Sequence, residues 1–214
     1  MNKNALINKN DLLLYLCTDQ GYVGERSLAE IIEEAIAGGV TMIQIREKNA
    51  CTREFFEMAC VARNITKARR IPLVVNDRLD VALASDADGL HIGQSDLPLN
   101  AVRKIAGSKL FIGVSAGTVE DALAAEKDGA DYLGIGAVFP TGSKDDAGSA
   151  IGLEGLARIC AAVKIPVVGI GGIGLANAAD VMKAGAAGIA VISAILAQKD
   201  IKAASETLKA QIGG

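Results

Sequence analysis

Eight short apolar runs, each followed by a stretch of helical periodicity, occupy most of the chain, and this alternation restricts the available folds more than any single motif does. The runs are Leu12–Cys17, Val40–Ile45, Pro72–Val75, Gly89–Ile92, Leu110–Val114, Tyr132–Ile135, Pro166–Ile170 and Gly188–Ile192. The helical stretches are Ser27–Gly38, Thr52–Ala68, Arg78–Ser85, Asn100–Ala106, Thr118–Asp128, Leu153–Val163, Leu175–Ala184 and Asp200–Ile212. Near-continuous apolar strands belong to parallel sheets covered on both faces. Three junctions share one form, a helix end, a Gly cap and then a strand: Ala35 to Val40, Lys127 to Tyr132 and Lys183 to Gly188. Eight such units in 214 residues fit one α/β domain, a closed (β/α)8 TIM barrel over 1–214 with a polar N-terminal extension over 1–10. An open doubly wound sheet is the alternative, and closure is preferred because eight parallel strands suit it well.

Composition narrows the function classes. Half of the residues are hydrophobic, only 3% are aromatic and none is Trp, so Val, Ile, Leu and Ala are expected to build the core. A balance of 22 basic against 25 acidic residues gives a net charge of −3, which offers no electrostatic footprint for nucleic acid or an anionic membrane. A local basic pocket for phosphate remains compatible with it. The first ten residues lack the apolar stretch of a secretory signal, and no run of about 18 apolar residues exists to span a membrane. The four cysteines are scattered without paired metal spacing. They read as reduced thiols of a cytoplasmic protein.

A barrel of this class carries its site on the loops after the strands, so polar clusters should fall there. Val74-Val75-Asn76-Asp77 and Gly93-Gln94-Ser95-Asp96 each place a carboxylate just after a consecutive apolar run. If those strands are neighbours, about 4.8 Å apart, the two acids can share one hard divalent cation such as Mg2+. Without a cation they repel, and one stays protonated. Asp after a strand is also a common helix N-cap, and both readings stand at this point. Met42, Gln44, Arg46 and Lys48 share one parity, and polar residues alternating in a buried strand suggest a ligand role for Gln44 and Lys48 and an ion-pair or ligand role for Arg46, with a solvated strand end as the alternative. His91, the only histidine, reads as a satisfied core residue rather than a catalyst. Ser115 either donates to a ligand or, with Thr118, caps the next helix. Thr141-Gly142-Ser143-Lys144 suits a phosphate cradle or a plain surface loop. Gly169-Ile170-Gly171-Gly172-Ile173-Gly174 and Ile192-Ser193 follow the seventh and eighth runs, where many such barrels hold phosphate. A divalent metal opposite a phosphate site suits a diphosphate leaving group.

Taken in order, Gln44-Ile45-Arg46-Glu47-Lys48, Val75-Asn76-Asp77-Arg78, Leu90 through Pro98, Phe139 through Lys144 and Gly169 through Ile173 resemble thiamine-phosphate synthases, and the likeness covers nearly the whole chain. The resemblance implies that a hydroxymethylpyrimidine loses diphosphate and is trapped by the nitrogen of a thiazole phosphate, giving thiamine phosphate and pyrophosphate. It implies that Gln44, Arg46, Lys48, Asn76, Ser115 and Lys144 bind the pyrimidine diphosphate, with Lys144 and Ser115 nearest the chemistry. It gives Thr141, Gly142, Ser143, Gly172, Ile192 and Ser193 to the thiazole phosphate, and Mg2+ to Asp77 and Asp96. Ser143 stands where the family usually has Thr. Small-molecule substrates are the expected partners, and a homo-oligomer is compatible with the chain. The competing readings are a thiazole-phosphate tautomerase of the same fold, a sugar-phosphate isomerase and a non-catalytic sensor of thiamine precursors.

Overall fold

Strands β1 (Leu14–Cys17), β2 (Met42–Ile45), β3 (Leu73–Asn76), β4 (Gly89–Ile92), β5 (Phe111–Ala116), β6 (Tyr132–Ile135), β7 (Val167–Ile170) and β8 (Gly188–Val191) pair in sequence order. All neighbours are parallel, and β8 pairs back onto β1 through Leu14 and Ile189 to close the barrel. This computed structural model describes residues 7–142 and 149–213, so Ser143 and Lys144 lie outside the described residues. The outer ring consists of α1 (Gln20–Val23), α2 (Leu28–Ala37), α3 (Thr52–Arg69), α4 (Leu79–Ala84), α5 (Leu99–Ala106), α6 (Val119–Asp128), α7 (Gly152–Ala162), α8 (Ala178–Lys183), α9 (Ser193–Leu196) and α10 (Ile201–Ile212).

Local chemistry explains the helix limits. Ser27 opens α2 with a capping box, its hydroxyl accepting from the Glu30 amide at 3.2 Å while Glu30 accepts from the Ser27 amide at 2.8 Å. Thr118 caps α6 and Asp200 caps α10 in the same sense. Gly129 closes α6 in the left-handed conformation, as the repeated junction predicts. Ile7 is buried and Lys9–Leu12 forms a 3-10 turn against β1 and β8, so the end of the polar N-terminal stretch packs onto the barrel.

The core is not purely aliphatic. Tyr15, Phe111 and Tyr132 meet inside the barrel, with ring centroids 6.2 Å apart in both the Tyr15–Tyr132 and Phe111–Tyr132 pairs. Small neighbours make room for them. A Cβ at Gly113 would collide with the Tyr132 ring, and one at Gly89 with the Phe111 ring. A few aromatics thus fill the barrel centre, while Val, Ile, Leu and Ala fill the layer between strands and helices.

Two acids fasten the rim where the strands begin. Asp88, just before β4, accepts from the Leu73 amide at 2.9 Å and from Arg63 of α3 at 2.7 Å. Asp131, just before β6, accepts from the Ile112 amide at 2.7 Å and pairs with Arg103 of α5. Arg103 also donates to the Leu110 and Gly129 carbonyls. These clamps hold helix to strand at the end remote from the mouth, which leaves the opposite rim for chemistry.

Candidate active site at the barrel mouth

A cavity of about 390 Å3 opens at the carboxyl ends of the strands. Its walls include Arg46, Lys48, Asn76, Asp77, Asp96, Ser115, Thr141, Gly172, Ile192 and Ser193, all of them expected from the sequence. Gly142 is exposed outside this wall. Gln44 sits lower, buried in the barrel interior, where its amide nitrogen donates to Tyr15 Oη at 2.5 Å.

The acid pair forms on adjacent strands. Asn76 of β3 lies in register with His91 of β4. Asp77 follows with φ 61°, a left-handed conformation that is unusual outside glycine, and its amide donates to the His91 carbonyl at 2.8 Å. Asp96 bends back so that Oδ2 accepts from the Gly93 amide at 2.7 Å. Neither acid caps a helix: the cap of α4 is Arg78 and that of α5 is Pro98. Partial burial raises the Asp96 carboxyl above its ordinary range, opposed by the Gly93 hydrogen bond and reinforced by the Asp77 charge and its side-chain hydrogen bond to Asp77. Adjacent strands thus bring both carboxyls to one stretch of the cavity wall, where each feels the other's charge.

One cation already addresses them. Lys48 Nζ lies 2.6 Å from Asp77 Oδ2, and its charge also favours the ionised form of Asp96. Beside it, Arg46 Nη1 lies 2.7 Å from Asp19 Oδ2, with Arg46 only 11% exposed. Asp19 meanwhile accepts from the Gly21 amide at 2.9 Å and so caps α1. The sequence allowed Arg46 an ion pair but did not point to this partner, because α1 is one turn long and shows no periodicity. The acids offer only hard oxygen donors, and no group of three His, Cys, Asp or Glu suited to a metal occurs among the described residues. Two carboxylates completed by water and substrate phosphate oxygens are the usual Mg2+ environment, so the residues present fit that ion.

Across the barrel, the β7 turn is shaped for close approach. Gly171 and Gly172 have φ of 94° and 64°. A Cβ on Gly172 would lie 2.6 Å from the Pro140 carbonyl oxygen and 2.8 Å from Phe139 Cβ. Only glycine lets this turn pack against the β6 loop, where Phe139 donates to the Gly171 carbonyl at 3.1 Å. Ile192 and Ser193 sit at the start of α9, the short helix after β8. Arg26 holds the far end of that helix by donating to the Leu196 carbonyl at 2.6 Å and the Gln198 carbonyl at 3.0 Å. The positive guanidinium complements the helix C-terminus.

The β4 and β5 ends complete the wall. His91 is 8% exposed, with Nδ1 2.9 Å from Tyr132 Oη and Nε2 2.9 Å from Ser115 Oγ. It is satisfied in the core, yet it also reaches the cavity wall. Gln94 Nε2 donates to the Ser115 carbonyl at 2.6 Å. Ser115 caps nothing, since Thr118 performs that task for α6.

The sequence profile described as thiamine monophosphate synthase matches residues 14–195 of this chain. The chain belongs to the thiamine-phosphate synthase family. It is 51% identical over 201 residues to the thiamine-phosphate synthase of Ruminiclostridium cellulolyticum, covering 94% of this chain and 95% of that one. It is 52% identical over 195 residues to the Clostridium novyi thiamine-phosphate synthase, covering 91% and 96%. Among solved structures, thiamine phosphate pyrophosphorylase from Pyrococcus furiosus superposes with a TM-score of 0.88 at 46% identity, over 96% of this chain and 97% of that one. The family likeness thus runs through every strand of the barrel. Among the described residues, no helix is long and apolar enough to cross a membrane.

Proposed function

We propose that this chain is a transferase that joins a hydroxymethylpyrimidine diphosphate to a thiazole phosphate, releasing pyrophosphate and forming thiamine phosphate. One observation carries the reading: within a single cavity, adjacent carboxyls and two cations on the β2–β4 rim face a glycine turn on the β7–β8 rim. One rim suits a diphosphate with its cation, the other a monophosphate. Membership of the thiamine-phosphate synthase family supports the same assignment.

In this reading Arg46, Lys48, Asn76 and Ser115 hold the diphosphate, while Thr141, Gly172, Ile192 and Ser193 hold the thiazole phosphate. Ser143 and Lys144 join those sets by resemblance to the family, Ser143 and Gly142 on the thiazole side and Lys144 on the diphosphate side. Asp77 and Asp96 would hold Mg2+, and that ion, when bound, would supply positive charge beside the diphosphate oxygens. The bond from the pyrimidine methylene carbon to the diphosphate oxygen breaks, and its electron pair leaves with the diphosphate. The thiazole nitrogen then gives its lone pair to that carbon. No protein nucleophile enters this scheme, so the side chains work by position and by charge. A cytoplasmic location suits such a biosynthetic activity.

The test is a coupled assay for pyrophosphate with parallel detection of thiamine phosphate. Equal yields of the two products, requiring both substrates and Mg2+, support the proposal. Rearrangement of thiazole phosphate alone favours the tautomerase reading, and binding without product favours a sensor.

A further inference from the structure

Below the mouth, a line of hydrogen bonds crosses the barrel interior. Gln44 Nε2 lies 2.5 Å from Tyr15 Oη, and Tyr15 Oη lies 3.0 Å from Tyr132 Oη. Tyr132 Oη lies 2.9 Å from His91 Nδ1, and His91 Nε2 lies 2.9 Å from Ser115 Oγ. The first four of these residues are buried, and only Ser115 is partly exposed. A cavity of about 20 Å3, which is room for roughly one water, runs beside the line.

The direction of the protons along this line follows from its first member. An amide nitrogen can only donate. Burial holds both phenols well above their ordinary range, so each keeps a single proton to pass on. Tyr15 accepts from Gln44, which leaves its own proton for Tyr132. Tyr132 then donates to His91 Nδ1. A neutral imidazole that accepts at Nδ1 carries its proton on Nε2 and gives it to Ser115 Oγ. With that lone pair used, the Ser115 hydroxyl proton is free to point into the cavity that Ser115 lines. The reverse direction would spend the Ser115 proton on His91 and turn only lone pairs toward the mouth, which repels an anion.

We infer that Gln44 sets a one-way chain through Tyr15, Tyr132 and His91 that fixes Ser115 as a hydrogen-bond donor to the anionic substrate. Gln44, Tyr15, Tyr132 and His91 are positioning residues, acting through Ser115. The kinetic half of this inference rests on the reading of the mouth as a diphosphate site, whereas the proton direction does not.

His91 is the only histidine of the chain, so ring-15N-histidine NMR of the ligand-free protein reports on it alone. The spectrum is recorded near pH 8, above the ordinary imidazole value of about 6.5. The chain requires a neutral ring protonated at Nε2. A ring protonated at Nδ1 overturns the inference, whatever the activity. Gln44→Met removes the donor that sets the direction, and the Nδ1-protonated form is expected to grow in. A spectrum unchanged from the native one removes Gln44 as the origin. Tyr132→Phe, checked for a native-like thermal transition, should raise KM for the diphosphate substrate about fivefold or more, with kcat altered less than about twofold. An unchanged KM with the native tautomer lost overturns the link to Ser115. If the native protein releases no pyrophosphate, the synthase reading fails while the tautomer result stands by itself.

Discussion

At the residue scale, the decisive pair is Asp77 and Asp96, because the fold brings two like charges to one wall, with Lys48 paired to Asp77 and also favouring ionised Asp96. Like charges set this close cost stability unless a cation offsets them. Asp77→Ala or Asp96→Ala is expected to lower turnover at least about a hundredfold, measured by pyrophosphate release. Asp96→Asn should be similarly inactive yet slightly more stable. Asparagine can still accept the Gly93 amide through its oxygen, while the repulsion from Asp77 is gone. The gain at pH 8 should be about 0.5 kcal/mol, or roughly 1–2 °C in Tm for a chain of this size. The sign of its pH dependence follows from the raised Asp96 pKa. The folded state binds this proton more tightly than the unfolded chain, so ionisation of Asp96 costs stability above its folded pKa. On acidification through that pKa the native protein protonates Asp96 and recovers the loss, so the Tm gap to Asp96→Asn should close. A gap that widens in acid contradicts this account of the pair. The acids were legible in the sequence because each follows one of two consecutive apolar runs. The partnership of Tyr15 with Tyr132 was not, since 117 positions separate them and only barrel closure joins them.

At the scale of elements, periodicity located every strand, and β4 and β6 have the limits expected of them. It failed for α1 and α9, which are four residues each and too short to show a period. It also began the helix before β8 too early, because Gly174 and Asn177 form a turn ahead of α8, with the Gly174 amide donating to Asn177 Oδ1 at 2.8 Å. The missed pieces flank the mouth: Asp19, the partner of Arg46, caps α1, and α9 begins with Ser193. The glycine turn after β7 was legible as a run, but its reason lies in packing against the β6 loop. Gly172→Ala should strain φ 64° and push the turn from Pro140. The expected result is a KM for thiazole phosphate raised about tenfold or more, with KM for the pyrimidine diphosphate nearly unchanged. Equal effects on both substrates would argue against a dedicated phosphate turn. At the other rim, Arg103→Ala removes the clamp between α5 and Asp131 and leaves that acid beside unpaired carbonyls. Calorimetry should show a loss of about 2 kcal/mol, roughly 4–8 °C in Tm, with turnover per folded molecule preserved.

At the scale of the whole molecule, closure in sequence order is what converts scattered motifs into one site. β3 and β4 are neighbours, while β7 lies on the far side of the ring, so a cation rim and a phosphate rim face each other across a cavity of about 390 Å3. The repeated strand-then-helix rhythm made that closure readable, and the position of each polar cluster after a strand followed from it. The filling of the centre was not readable. Composition pointed to an aliphatic core, whereas Tyr15, Phe111 and Tyr132 meet in the barrel interior, where Gly89 and Gly113 leave the volume for Phe111 and Tyr132. The most direct test of the shared cation is a crystal grown with pyrophosphate and Mn2+ in place of Mg2+, with anomalous scattering locating the metal. The account predicts one peak within about 2.5 Å of a carboxylate oxygen of both Asp77 and Asp96. A metal bound by neither acid, or by only one of them with the other turned to bulk solvent, would contradict it.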